Sequence, residues 1–152
     1  MNQVIEDNII APDFKLRDQH GNRFRLSDHH GHKVLLSFHP LAWTPICAQQ
    51  MQSLEKNMDT FTRHNTIPVG ISIDSQFTKE AWAKNLNIEQ LRLLADFWPH
   101  GEVARLFGLF RDRNGFSERA NILIDEDGRV SWVKVYEIKQ LPDIQEVLEQ
   151  IE

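Results

Sequence analysis

Cys47 is the only cysteine of the chain, and it closes the run Pro40-Leu41-Ala42-Trp43-Thr44-Pro45-Ile46-Cys47. A helical periodicity begins at the same point. A helix N-terminus favours negative charge and presents N–H groups that have no partner inside the helix. The thiolate is the reactive form of cysteine. One-thiol chemistry is therefore the candidate, and cleavage of an O–O bond is the reaction whose needs these residues meet. In that reaction the sulfur attacks one oxygen and the other leaves as alkoxide or hydroxide, so charge must be stabilised as it moves. The Thr44 hydroxyl can both donate to and accept from a bound oxygen species. Pro40 and Pro45 stiffen the loop and remove two N–H groups that would otherwise draw water. The part missing locally is a permanent cation, which would favour the thiolate.

Each residue also has a plainer reading. A lone cysteine on an apolar helical stripe is commonly inert core. Thr44 alone is an N-cap or a loop hydroxyl, and isolated prolines punctuate loops. The combination, placed directly after a buried strand, favours the chemical reading.

The elements that must position these groups are legible in outline. Phe14–Arg17 and Arg23–Leu26 alternate apolar with polar residues around Asp18-Gln19-His20-Gly21-Asn22, which predicts an N-terminal β-hairpin. Val34-Leu35-Leu36-Ser37-Phe38, within 33–38, is a short apolar run typical of a buried strand. Cys47, Met51, Leu54, Met58 and Phe61 form the inward stripe of an amphipathic helix. Strands are predicted at 66–73, 93–96, 120–124 and 130–136. Helices are predicted at 79–86, with Thr78 as cap, at 101–107, and from Pro142 onward with Ile144, Val147, Leu148 and Ile151 inward. The turn Asp125-Glu126-Asp127-Gly128-Arg129 joins the last two strands as a hairpin. Strands alternating with helices, with hairpins at both ends, give an α/β class with a mixed sheet covered on both faces.

Bulk properties set the frame. A chain of 152 residues reads as one domain over 1–152. A net charge of −5 argues against non-specific nucleic-acid binding, and no apolar run reaches membrane-spanning length. The start, Met1-Asn2-Gln3-Val4-Ile5-Glu6-Asp7, carries no secretory signal pattern. One cysteine makes no internal disulfide, so a reducing cytoplasm is the expected compartment. The cluster His29-His30-Gly31-His32 reads as a solvated polar loop rather than a metal site.

Taken together, Pro40-x-x-x-Thr44-x-x-Cys47 after an apolar strand resembles the active-site loop of the peroxiredoxins, the AhpC/TSA superfamily. The resemblance extends over nearly the whole chain: Ala11-Pro12-Asp13-Phe14, Ile71-Ser72-Ile73-Asp74-Ser75 with Trp82, Leu94-Ala95-Asp96, Ala104-Arg105-Leu106-Phe107-Gly108, and the segment from Glu118-Arg119-Ala120 to Gly128. It implies a thioredoxin-like fold and thiol-dependent reduction of hydrogen peroxide or organic hydroperoxides without a cofactor. On the matching positions, Cys47 is the peroxidatic cysteine, Thr44 binds the peroxide, Pro40 shields the sulfur and Arg119 is the missing cation. Its plainer reading is a solvated or salt-bridged strand-edge arginine. Two positions depart from the common pattern. Gln50 stands where members often carry glutamate, and His39 stands where an aromatic residue is frequent. His-Pro occurs in some one-cysteine members, and the compact length resembles the short bacterial one-cysteine group. His39 has two readings, a proton acceptor near the sulfur or a loop imidazole bonded to backbone. With no second thiol, the sulfenic acid must be reduced by an external thiol of thioredoxin, glutaredoxin or low-molecular-weight type. The resemblance also implies a homodimer, to which Trp43 and Phe77 could add apolar contact. A different class stays open on the same residues: a thioredoxin-fold sensor or binding module oxidised once at Cys47. A degenerate scaffold with an inert thiol is a third.

Overall fold

The structure, a computed structural model, describes residues 3–152. Met1 and Asn2, the first two residues of the start read above for a signal, lie outside it. The elements run β1 (Lys15–Arg17), β2 (Arg23–Arg25), β3 (Lys33–Phe38), α1 (Pro45–Lys56), α2 (Met58–Arg63), β4 (Thr66–Ser72), α3 (Gln76–Leu86), β5 (Arg92–Ala95), α4 (Glu102–Leu106), β6 (Phe110–Arg111), β7 (Phe116–Ser117), β8 (Arg119–Ile124), β9 (Val130–Tyr136) and α5 (Ile144–Ile151). Seven strands form one sheet in the order β2-β1-β5-β4-β3-β8-β9. β3, β4 and β5 are parallel, whereas β8 runs antiparallel to β3 and β9 antiparallel to β8. This is the expected mixed sheet with flanking helices, and the N-terminal hairpin is present as β1 and β2.

The period of two along β3 divides the interior. Val34, Leu36 and Phe38 join a core with the N-terminal hairpin and α4. Leu35 joins the other core, built from α1, α2, α3 and α5. Ser37 and His39 share the parity of Leu35, and register pairs Ser37 with Gly70 on β4 and with Asn121 on β8. Two residues back along β8 from Asn121 is Arg119. Strand alternation alone therefore puts Ser37, His39 and Arg119 on the sheet face covered by α1.

Three element boundaries differ from the sequence reading. The stripe from Cys47 to Phe61 is carried by two helices, not one, because Asn57 turns its side chain onto the Ser53 carbonyl at 2.7 Å and competes with the helix ladder. Helix α3 begins at Gln76, with Ser75 as cap accepting from the Thr78 N–H, so Thr78 lies inside it. Asp143, accepting from the Gln145 N–H, caps α5 in place of a start at Pro142. The two-residue strands β6 and β7 were too short to leave a periodic signal.

Candidate active site

The loop after β3 delivers the sulfur to a helix end. Thr44 is the extended N-cap of α1 (φ −103°, ψ 149°), and Pro45 is its first helical residue. Proline has no N–H to lose there, and its fixed φ suits the helix start. Cys47 is third in the helix, so its N–H and that of Ile46 have no acceptor within the helix. No acidic residue lies in this first turn to compete with an anion for the dipole. The loop is tied to the end of β4, since the Ala42 N–H donates to Asp74 Oδ2 at 2.8 Å. Trp43 sits in the left-handed region at φ 70°, a conformation that costs an L-residue about 1–2 kcal/mol, and it is 53% exposed.

Arg119 reaches the sulfur. It is 3% exposed, and its Nη1 lies 3.3 Å from Cys47 Sγ. The same nitrogen donates to Gln50 Oε1 at 2.9 Å. Its Nε and Nη2 both donate to the Ile138 carbonyl, at 2.9 and 2.7 Å. Gln50, one turn beyond Cys47, is held in place by its own Nε2, which donates to Ser37 Oγ at 2.7 Å and to the Phe38 carbonyl at 3.2 Å. Among the described residues Arg119 forms no ion pair with a carboxylate. Glutamine at position 50 thus orients the guanidinium without neutralising it, and the sulfur is left as the group that its charge can favour as an anion.

The Thr44 hydroxyl donates to the Leu41 carbonyl at 2.8 Å. Its donor is committed, so its oxygen lone pairs are what it offers to an incoming O–H. Cys47 itself is fully enclosed. In front of its helix turn lies a cavity of about 210 Å³ whose lining includes Pro40, Thr44, Ile46, Phe116, Arg119 and Ile138. The lining is mostly apolar, with the Thr44 hydroxyl, the Arg119 guanidinium and Lys139 as its polar members.

The structure brings Pro40, Thr44, Cys47, Gln50 and Arg119 together. Trp43 stands outward on the same loop. His39 is fully buried, and its Nδ1 lies 3.4 Å from the Ser37 carbonyl, as the backbone-bonded reading expects. Its closer partner went unread in the sequence: Lys79 Nζ, 2.8 Å from Nε2. A signal existed. Trp82, Ala83 and Leu86 set an inward stripe on α3 that includes position 79. Ser37 and the Ile138 carbonyl were also missed. In the histidine-rich segment, His29 stacks on Phe24 with ring centroids 4.5 Å apart. Among the described residues, no three His, Cys, Asp or Glu side chains converge as a metal site.

A parallel-centred sheet with a lone cysteine at a helix start and an arginine on its sulfur defines the chain as a thiol-dependent peroxidase of peroxiredoxin type. Residues 8–133 match the model of the AhpC/TSA family, and the chain belongs to that family. It is 34% identical over 134 residues to alkyl hydroperoxide reductase E of Mycobacterium tuberculosis, which covers 88% of this chain and 87% of that protein. Among solved structures, a reduced 2-Cys peroxiredoxin of Plasmodium vivax superposes with a TM-score of 0.87 at 28% identity, covering 97% of this chain and 79% of the other. The peroxidoxin BcpB of Mycobacterium tuberculosis superposes with a TM-score of 0.84 at 26% identity, covering 97% and 96%. The chain described here has a single cysteine.

Proposed function

We propose that this chain, acting as one domain, reduces hydrogen peroxide and organic hydroperoxides at Cys47 and is returned to the thiol by an external thiol. The observation that carries the assignment is Arg119 Nη1 at 3.3 Å from Cys47 Sγ, beside a helix start with free N–H groups. The thiolate donates an electron pair to the distal oxygen of ROOH and the O–O bond breaks. The sulfur becomes Cys47–SOH, and the departing RO⁻ takes up a proton to give ROH. Thr44 accepts from the peroxide O–H and Arg119 stabilises charge on the oxygens. Pro40 keeps water from the sulfur, and Gln50 aims the guanidinium. The apolar mouth formed by Ile46, Phe116 and Ile138 suits the hydrocarbon part of an organic hydroperoxide. One thiol molecule then condenses with the sulfenic acid, releasing water, and a second reduces the mixed disulfide. Thioredoxin, glutaredoxin or a low-molecular-weight thiol fits that role.

A lone thiol suits a reducing compartment, which supports a cytoplasmic site. Among the described residues no helix is long and apolar enough to cross a membrane. The exposed faces of Trp43 and Phe77 support a homodimer, and light scattering across a concentration series reads it.

Steady-state consumption of peroxide in the presence of dithiothreitol tests the enzyme. Many turnovers per chain are expected, and Cys47→Ser loses them while keeping its circular dichroism spectrum. Consumption of one equivalent and no more, with reductant present, would make the protein a sensor instead.

A further inference from the structure

Lys79 is wholly buried, which a lysine avoids by extending its ammonium to solvent. Here Nζ ends inside the molecule, 2.8 Å from His39 Nε2 and 5.4 Å from the centroid of the Trp82 ring. No carboxylate closes on it as an ion pair among the described residues. Burial pulls Lys79 down from its ordinary 10.5 to about 7, opposed at longer range by the negative charges of Asp74, Cys47 and Asp96. Burial also holds His39 well below its ordinary value, and the charges of Lys79 and then Arg119 add to this. The pair therefore carries at most one charge near neutrality, and the lysine carries it. His39 accepts at Nε2 and directs Nδ1 to the Ser37 carbonyl. Gly70 makes room for the ring: a Cβ there would lie 3.3 Å from His39 Cε1 and would overlap the Met51 sulfur.

A series of buried residues, linked through the main chain and side chain of Ser37, runs from this pair to the reactive sulfur. His39 faces the Ser37 carbonyl, and Ser37 Oγ accepts from Gln50. Gln50 accepts from Arg119, which touches Cys47 Sγ. Every side chain in the series is 3% exposed or less. We propose that Lys79, seated on His39, is a second cation of the Cys47 site: a positioning residue whose charge holds the sulfur anionic before peroxide attack and is surrendered once the sulfur is a neutral sulfenic acid. The inference rests on the peroxidase reading. The balance closes, as Cys47–S⁻, Lys79–NH₃⁺ and ROOH give Cys47–SOH, Lys79–NH₂ and ROH. The sulfur is oxidised and the peroxide reduced. RO⁻ takes its proton from solvent, and the lysine returns to solvent the share of its own proton that the lost thiolate no longer holds. Burial opposes the lysine's charge, whereas the negative charges of Asp74, Cys47 and Asp96 favour it, and His39 Nε2 faces Nζ as an acceptor.

Two measurements test it. The first follows the Lys79 ¹³Cε resonance from about pH 5 to about pH 11 in the reduced protein and in Cys47→Ser, with no peroxide present. A midpoint near neutrality is expected in the reduced protein, where the thiolate is present, and one about half a pH unit or more lower in Cys47→Ser. Coincident midpoints, or a midpoint at the ordinary lysine value in both, overturn the proposal alone. The second is the pH profile of sulfenic acid formation by stopped flow. In Lys79→Met its midpoint moves up by about one pH unit, which makes the variant roughly tenfold slower at low pH and near the parent rate on the alkaline plateau. A loss spread evenly over all pH values, with the midpoint unmoved, shows a merely structural lysine. If Lys79→Met does not fold, the resonance comparison decides by itself. Failure of the unaltered protein to form any sulfenic acid overturns the peroxidase reading and this inference together.

Discussion

Arg119 and Lys79 are both buried cations on one side of the same sheet, and their surroundings differ in kind. Arg119 spends its donors on the Ile138 carbonyl, Gln50 and the Cys47 sulfur, and a guanidinium stays charged at any pH the protein meets. Lys79 has a neutral imidazole nitrogen and an aromatic face, so its charge depends on conditions. The difference separates two tasks that a cation can perform at a reactive thiol. A fixed charge holds geometry and stabilises the moving electrons, whereas a conditional one tunes the state of the sulfur to its environment.

The largest expected effect tests the fixed member. Arg119→Ala should slow sulfenic acid formation by about 10²- to 10³-fold, the usual cost of removing one donor aimed at developing charge. Arg119→Lys should recover only part of this, because a single ammonium cannot reach the Ile138 carbonyl, Gln50 and the sulfur together. A rate within a few-fold of the parent in stopped-flow traces of Arg119→Ala would remove the guanidinium from the reaction. A smaller effect is expected at Gln50. Gln50→Ala leaves Ser37 Oγ and Arg119 Nη1 each short of a buried partner, and should cost about 1–3 kcal/mol in urea unfolding. The reaction should slow less than in Arg119→Ala, since the guanidinium keeps its anchor on Ile138.

The smallest effect sharpens the conditional member. Folding lowers Lys79 from 10.5 to about 7, so between those values the unfolded chain binds more protons than the native state. Stability then rises with pH across that window, and this group contributes no slope below or above it. Urea midpoints measured against pH in Cys47→Ser, where the thiol's own titration is gone, should show the rise. Adding Lys79→Met should flatten it. An equal rise in both proteins would assign the effect elsewhere.

Much of this site was written in local spacing. Pro40, Thr44 and Cys47 lie within one loop and one helical turn, so chain geometry brings them together. The buried strands and the terminal hairpins were readable from alternation and turn residues. Arg119 was a different matter. It stands 72 positions from Cys47, and its place beside the sulfur depends on the register of β8 against β3, which no short window contains. Family likeness supplied it where spacing could not. The break at Asn57 was hidden because the apolar period runs on through it. Lys79 was hidden by its type: its stripe points inward, but lysine is expected in water. Gln50 appeared as a departure whose sense emerged only with its three partners, Ser37, Phe38 and Arg119.

The guanidinium is moored twice to one backbone oxygen, that of Ile138. A carbonyl is the same in every amino acid, so the mooring is blind to the side chain at 138 and answers only to the course of the main chain there. Exchanges at that position should keep the mooring even where they alter the apolar mouth, and an insertion in the turn Asp125–Arg129 leaves the berth where it is. A single residue deleted between Tyr136 and Ile138 would carry the oxygen away and leave the arginine adrift.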